Sequence, residues 1–204
     1  MTPPRSAFLP GDRRLLAVVD AAMAGAARRS GERLACRPGC TECCIGPFPI
    51  SALDAERLSR GLDRLARADP DRADAVAARA RRAVALLEPD LPPGSAGALG
   101  DERAQDAFLT KHAALPCPAL DPATGLCDLY AHRPIACRTF GPPMRIEGTP
   151  LPPCRLCFVD APPAEVEACR TRLDCAAEEG PLEDAARASG FPGETLIAFA
   201  LVRP

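Results

Sequence analysis

Four cysteines occupy nine positions at Cys36-Arg-Pro-Gly-Cys40-Thr-Glu-Cys43-Cys44. Three more follow at ten-residue intervals, Cys117, Cys127 and Cys137, and a last pair stands at Cys154-Arg-Leu-Cys157. Cysteines two residues apart, such as Cys40 and Cys43, can present both sulfurs to one ion, so the pattern points to metal held by thiolates. Pro38-Gly39 reads as the centre of a type II turn, with Pro fixing φ at the first position and Gly accepting positive φ at the second. Such a turn brings Cys36 and Cys40 together. Adjacent residues in extended chain point to opposite faces, so Cys43 and Cys44 read as ligands of two neighbouring centres rather than one. A disulfide between them is disfavoured, because adjacent Cα atoms lie about 3.8 Å apart and ordinary disulfides need about 4.4 Å or more.

The candidate ligands are therefore Cys36, Cys40, Cys43 and Cys44 from the first block, Cys117, Cys127 and Cys137 from the second, and Cys154 from the third. The role of Cys157 stays open. Eight or nine thiols suffice for two four-sulfur zinc sites or for one [4Fe-4S] cluster with sulfurs to spare. Arg37, Arg133, Arg138 and Arg155 flank these positions and could offset thiolate charge. Solvated side chains in an arginine-rich chain are the plainer reading of the same residues. Cys169 and Cys175 are expected on one helix, about 120° apart around its axis, and read as core residues. His112 and His132 read as ordinary helix and loop residues.

The elements that position these blocks are mostly helical. Leu15, Val18, Val19, Ala22 and Met23 recur at helical spacing and predict a helix over 12–34, after a loose Pro-rich leader over 1–11. Ser51-Ala-Leu-Asp54 has the form of a capping box and predicts a helix over 52–67. Asp69-Pro70 supplies an N-cap and a first-turn proline for a helix to Leu87. A Pro/Gly/Ser-rich loop over 88–100 leads to a short helix, Glu102 to Ala113. The stretch 116–157 reads as loops with a few short strands, including a hairpin turning at Gly148 after Met144-Arg-Ile-Glu. Helices are expected over 165–178 and 182–188, and 195–202 is either helix or strand. The expected fold is mainly α, with helices around an irregular Cys-rich metal-binding core and a few short strands. One domain spans 1–204, its cysteine core over 34–157 flanked by helical elements over 12–34 and 163–204.

Composition agrees. The 204 residues are 47% hydrophobic but only 4% aromatic, with no Trp, 24 Pro and 15 Gly. A core of Ala, Leu, Val and Ile broken by rigid connections is expected. The net charge of −2 and the single lysine, Lys111, give no electrostatic case for nucleic acid. Asp20 interrupts the apolar run Leu15–Val19, so no export signal is read there, and no stretch reaches the ~18 apolar residues of a membrane span. A cytoplasmic protein is expected, where clustered cysteines bind metal or act in catalysis rather than form disulfides.

The combined pattern resembles the YkgJ-type cysteine-cluster family, described as zinc- or iron-chelating. The resemblance runs through Cys36, Cys40, Cys43 and Cys44, then Pro49-Ile-Ser51, Cys117-Pro-Ala-Leu, Cys127-Asp-Leu-Tyr130, Arg133-Pro134 and Cys137-Arg138-Thr-Phe140. It covers about residues 34–140. It implies a helical, metal-centred fold and a cytoplasmic bacterial protein, often labelled an iron–sulfur protein, and it implies no reaction.

Three functions compete. One is a metal-binding protein whose zinc or [4Fe-4S] cluster organises the fold. The others are an iron–sulfur oxidoreductase or group-transfer enzyme, and a zinc-based module for a protein partner. Cys36-x3-Cys40-x2-Cys43 has the literal spacing of a radical-SAM cluster motif, but the βα alternation of that barrel is not read here. No Gly-rich phosphate loop, His-Glu-x-x-His or GxSxG motif is present. Whether the chain is an enzyme is left open.

Overall fold

Proline is tolerated in the first turn of a helix, where its missing N–H would be unbonded anyway. Helix α1 (Leu9–Ser30) accordingly begins one residue before Pro10, three residues earlier than its periodicity suggested. It ends where Gly31 adopts φ +50°, and a single 3-10 turn over Gly31–Arg33 follows. The computed structural model describes residues 9–92, 95, 97–99, 101–191 and 193–202. Of the leader expected over 1–11, residues 1–8 lie outside this set, as do 93, 94, 96 and 100 of the expected loop. The fold is mainly α, with five short strands among the described residues.

Side-chain caps start three of the helices. After strand β1 (Pro49–Ile50), the Ser51 hydroxyl accepts from the Asp54 N–H at 3.2 Å and opens α2 (Ala52–Ala68). Asp69 accepts from the Arg72 N–H at 3.1 Å and opens α3 (Pro70–Leu87), with Pro70 in its first turn. Asp101 accepts from the Ala104 N–H at 2.9 Å and opens α4 (Glu102–Lys111). Each cap satisfies a backbone donor that the first helical turn leaves without a partner.

The remainder runs α5 (Ile135–Thr139), β2 (Met144–Ile146), β3 (Thr149–Leu151), α6 (Pro163–Cys169), β4 (Thr171–Leu173), α7 (Ala176–Ala188), β5 (Thr195–Leu196) and α8 (Ile197–Ala200). Strands β2 and β3 form the expected hairpin. Glu147 and Gly148 both take positive φ, +47° and +80°, as a type I′ turn requires. The helix expected over 165–178 is instead split by β4. Arg170 leaves the helical conformation, its guanidinium donates to the carbonyls of Met144 and Leu151 at 2.8 and 2.9 Å, and Thr171–Leu173 pairs in parallel with β2. Cys169 and Cys175 thus stand on either side of a strand, not on one helix. Glu147 then accepts from the N–H groups of Cys175 and Ala176, at 2.6 and 2.9 Å, and caps α7. The ambiguous segment 195–202 resolves into both forms, β5 followed by α8.

The chain divides into two compact units, each made of separated segments. The first comprises residues 1–37 and 135–185, the second 38–134 and 186–204. In the first unit, α1 packs against α5, α6 and β4, beside the sheet ordered β3-β2-β4. In the second, α2 and α3 pack on one another and on α8, and β1 pairs antiparallel with β5. The core of this second unit gathers Leu87, Leu91, Phe108 and Leu196. Ion pairing between Asp54 and Arg57 is buried on α2. Among the described residues, no helix is long and apolar enough to cross a membrane.

Candidate metal centre

In the second unit, the first and second cysteine blocks are joined by backbone. A short antiparallel bridge pairs Ile45 with Pro116; the Cys117 N–H donates to the Cys44 carbonyl, and the Gly46 N–H to the Leu115 carbonyl, both at 2.7 Å. A loop then carries the chain away from Cys117 and returns it at Cys127. Leu120 bridges to Cys127, and the Asp128 N–H donates to the Ala119 carbonyl at 2.8 Å. Asp121 turns the loop by accepting from the Ala123 N–H at 3.0 Å and the Thr124 hydroxyl at 2.6 Å. At its tip, Gly125 comes within reach of Gly39 and Thr41, so the Pro38-Gly39 turn ahead of Cys40 lies against it. Gly39 has φ +85°, as the expected turn requires.

Cys43 and Cys44 do not lie in extended chain. Glu42–Cys44 forms a 3-10 turn closed by the Cys44 N–H on the Thr41 carbonyl at 2.8 Å, and the two neighbouring thiols shift each other's ionisation. The argument that sent them to opposite faces therefore fails, because it assumed strand geometry; a tight turn rotates successive side chains by about 120°. The contact with Cys44 lowers the Cys43 thiol to about 6, with Arg133 helping and burial opposing. The same contact, then burial and the nearby Cys43, Cys117 and Cys127 sulfurs, pushes Cys44 up. Burial raises Cys117 to about 12 and also raises Cys127. Four thiols of the second unit thus act electrostatically on one another.

Two arginines fix the second arm. The Asp128 carboxylate pairs with Arg72 and with Arg79, both on α3, and Arg79 also donates to the Pro118 carbonyl at 2.8 Å. Arg79 therefore ties together the residues that follow Cys117 and Cys127. Neither arginine was singled out in the sequence, although Arg72 and Arg79 are seven apart and so share a helix face; Asp128 entered only within the Cys127-Asp-Leu-Tyr130 motif, with no role of its own. The flanking arginines differ from one another. Arg133 lies over the Tyr130 ring at 3.7 Å and favours the charged forms of Cys43 and Cys127. Arg138 pairs with Asp20 at 2.8 Å. The histidines are engaged in packing and pairing: His132 lies against Gly61, and His112 meets Asp90 at 2.8 Å and the Phe108 ring.

The remaining candidates, Cys36, Cys137 and Cys154, belong to the first unit, together with Cys157. Cys154 and Cys157 are buried with Phe158, and Leu34 and Ala35 pack against them. Cys169 borders the same cluster and donates to the Arg29 carbonyl, while Cys175 is buried beside Glu179. All eleven cysteines are free thiols. Among the described residues, no three His, Cys, Asp or Glu side chains stand in the geometry of a finished metal site. The donors nevertheless suit a soft cation: Cys43, Cys44, Cys117 and Cys127 are partly buried and mutually repelling when ionised, a cost that a bound metal removes by drawing them in.

Neither the curated proteins nor the solved structures hold a match to the chain. Residues 35–155 match the CxxCxxCC family, described as "putative zinc- or iron-chelating domain". That span contains every candidate ligand from Cys36 to Cys154, and the chain belongs to this CxxCxxCC family.

Proposed function

We propose that this protein binds a zinc ion or an iron–sulfur cluster through its cysteine thiolates, with Cys40, Cys43, Cys44, Cys117 and Cys127 as the ligands supplied by the second unit. Cys36, Cys137 and Cys154 complete the ligand set expected from the sequence. The observation that carries this reading is the backbone junction between the first two cysteine blocks, where the Cys117 N–H donates to the Cys44 carbonyl at 2.7 Å beside the Ile45–Pro116 bridge, across segments 70 or more positions apart in sequence. Thiols brought together this way repel as they ionise, and a bound cation reverses the sign of that interaction. A tetrahedral zinc takes four of these sulfurs; a [4Fe-4S] cluster also takes four. The segments carrying them lie in loops and a single 3-10 turn rather than in long helices or strands, so metal binding also supplies folding energy.

The test is metal analysis and absorption of anaerobically purified protein. Brown protein with stoichiometric iron identifies a cluster and supports a redox or group-transfer role. Colourless protein with stoichiometric zinc supports a structural or partner-binding role in a cytoplasmic setting. Cys40→Ser and Cys127→Ser should each lose metal and melt earlier, whereas Cys169→Ser should keep its metal. Folded protein that takes up neither iron nor zinc would sink the reading.

A further inference from the structure

We propose that the run 149–153, Thr-Pro-Leu-Pro-Pro, is a polyproline ligand: a preformed extended ridge that seats in the aromatic-lined groove of a partner protein, with Arg155 meeting a carboxylate at the groove's rim. The run lies wholly in the first unit, and its role does not depend on which metal the thiols hold.

Each residue of the run is a proline or precedes one. Proline fixes its own φ at about −65° and pushes the residue before it out of the helical region, so all five positions are held extended. In a polyproline II helix three residues make a turn, so Pro150 and Pro153 fall on one edge, about 9 Å apart. Thr149, Pro150, Leu151 and Pro152 are exposed, Leu151 at 40%, and Pro153 is half-buried. Three contacts hold the run in place. Thr149–Leu151 pairs with β2 as strand β3, the Arg170 guanidinium donates to the Leu151 carbonyl at 2.9 Å, and the Cys154 N–H donates to the Gly141 carbonyl at 2.9 Å. A ligand already fixed in its bound form loses little conformational entropy on binding. The chain's other Pro-x-x-Pro, from Pro89 to Pro92, lacks these features: Glu88–Asp90 is a 3-10 turn and Leu91 is buried.

The outer edge of β3 decides what kind of partner fits. Ile146 and Thr149 close the two-residue turn as a bonded pair, so Pro150, opposite Arg145, falls where backbone groups point away from β2. Its missing N–H costs no bond inside the sheet and leaves the outer edge without a donor there. Pro152 repeats the omission two residues on. A strand from another chain therefore meets no donor at either position. Recognition falls instead to the proline rings and Leu151 against aromatic rings, the mode by which Pro-x-x-Pro segments dock. Charge narrows the partner further. From Thr149 to Val159 the chain carries Arg155 and no acidic residue, and Arg155 is exposed two positions after Pro153. A carboxylate beside the groove complements it. A second copy of this chain does not fit: among the described residues its exposed large aromatics are Tyr130 and Phe140, too few to line a groove.

The probe is a purified SH3 domain whose aromatic groove is flanked by carboxylates, isotope-labelled and titrated with the full-length protein as purified. Wild type should shift the groove resonances to saturation. Pro150→Ala, Leu151→Ala and Arg155→Glu should each bind about tenfold more weakly or worse, with helix content and bound metal unchanged. Pro92→Ala, in the other Pro-x-x-Pro, should bind like wild type. Resonances that stay put at about 1 mM of each protein overturn the proposal, as do variants of the run that all bind like wild type. Self-association of the wild type that Pro150→Ala abolishes also overturns it, by placing a second copy on the run. Should Arg155→Glu disturb the neighbouring Cys154 and Cys157, Pro150→Ala and Leu151→Ala decide without it.

Discussion

Replacing Asp128 with alanine should unseat Cys127, and the structure sets how much stability goes with it. The Asp128 side chain is 2% exposed and pairs with Arg79, at 19%, and Arg72, at 45%. Removing one member of a buried charge pair costs about 3–5 kcal/mol, because the other charge stays buried. An exposed pair contributes about 0.2–1 kcal/mol. Since Arg79 keeps some contact with water, Asp128→Ala should fall at the low end, about 3 kcal/mol. Arg79→Ala leaves Asp128 with Arg72 but strips the Pro118 carbonyl of its donor, for about 2 kcal/mol in all, of which about 1 belongs to that hydrogen bond. Arg72→Ala should cost less than about 1 kcal/mol. For a chain of this size 1 kcal/mol moves the melting temperature by about 2–4 °C, so Asp128→Ala should melt about 6–12 °C earlier. Supporting residues next to ligands typically change metal affinity by about 10–100-fold, so Asp128→Ala should also lose metal to a chelator at that much lower concentration. Calorimetry and chelator titration on the three variants give the order. Equal losses for all three, or an Asp128→Ala protein that melts and holds metal like wild type, would refute the argument that α3 clamps the second arm.

Two further outcomes follow from contacts in the second unit. A Cβ at Gly61 would lie 2.6 Å from the Cβ of His132, so Gly61→Ala should destabilise by about 1–3 kcal/mol. His132→Gly, which removes that Cβ, should relieve most of the loss in urea unfolding when combined with Gly61→Ala, and an equal loss in both backgrounds would refute the contact. Asp90 is held below the usual carboxylate range by Lys111 and then His112. A carboxylate depressed in the folded state stabilises above its unfolded pKa, and that contribution is lost as pH falls through the folded value. Wild type should therefore melt above Asp90→Asn at neutral pH, by a small margin that closes below about pH 4. A margin that persists or widens on acidification would count against the pairing.

Local signals in this sequence predicted local structure well. Ser51 and Asp69 cap the helices that follow them, and Gly148 turns its hairpin, because a cap or a two-residue turn involves only chain neighbours. The errors lie where distant residues decide. Nothing near Thr171 announces a strand; β4 exists because β2, some 25 residues earlier, offers an edge and Arg170 bonds the carbonyls of the hairpin. The tight turn at Glu42–Cys44 is likewise a property of the 41–44 backbone that residue types alone do not fix. The clamp on Asp128 joins residues 49 and 56 positions apart, and no spacing rule reaches that far.

The same distinction bears on how the cysteines divide. Spacing groups Cys36 with Cys40, and Cys127 with Cys137, yet each of these pairs has one member in each compact unit. The chain passes from one unit to the next directly after Arg37 and again after Pro134, inside the two motifs that look most like single metal sites. Nearness in sequence therefore does not place two thiols in the same unit. Contacts sort them within each unit: Cys44 meets Cys117 through a backbone bond, and Cys36 lies against Gly141, whose carbonyl accepts from the Cys154 N–H. The vicinal pair Cys43-Cys44 first suggested two centres, for a geometric reason that its turn removes. What joins the first two blocks is the backbone bond from the Cys117 N–H to the Cys44 carbonyl, and that bond holds whether one centre forms or two.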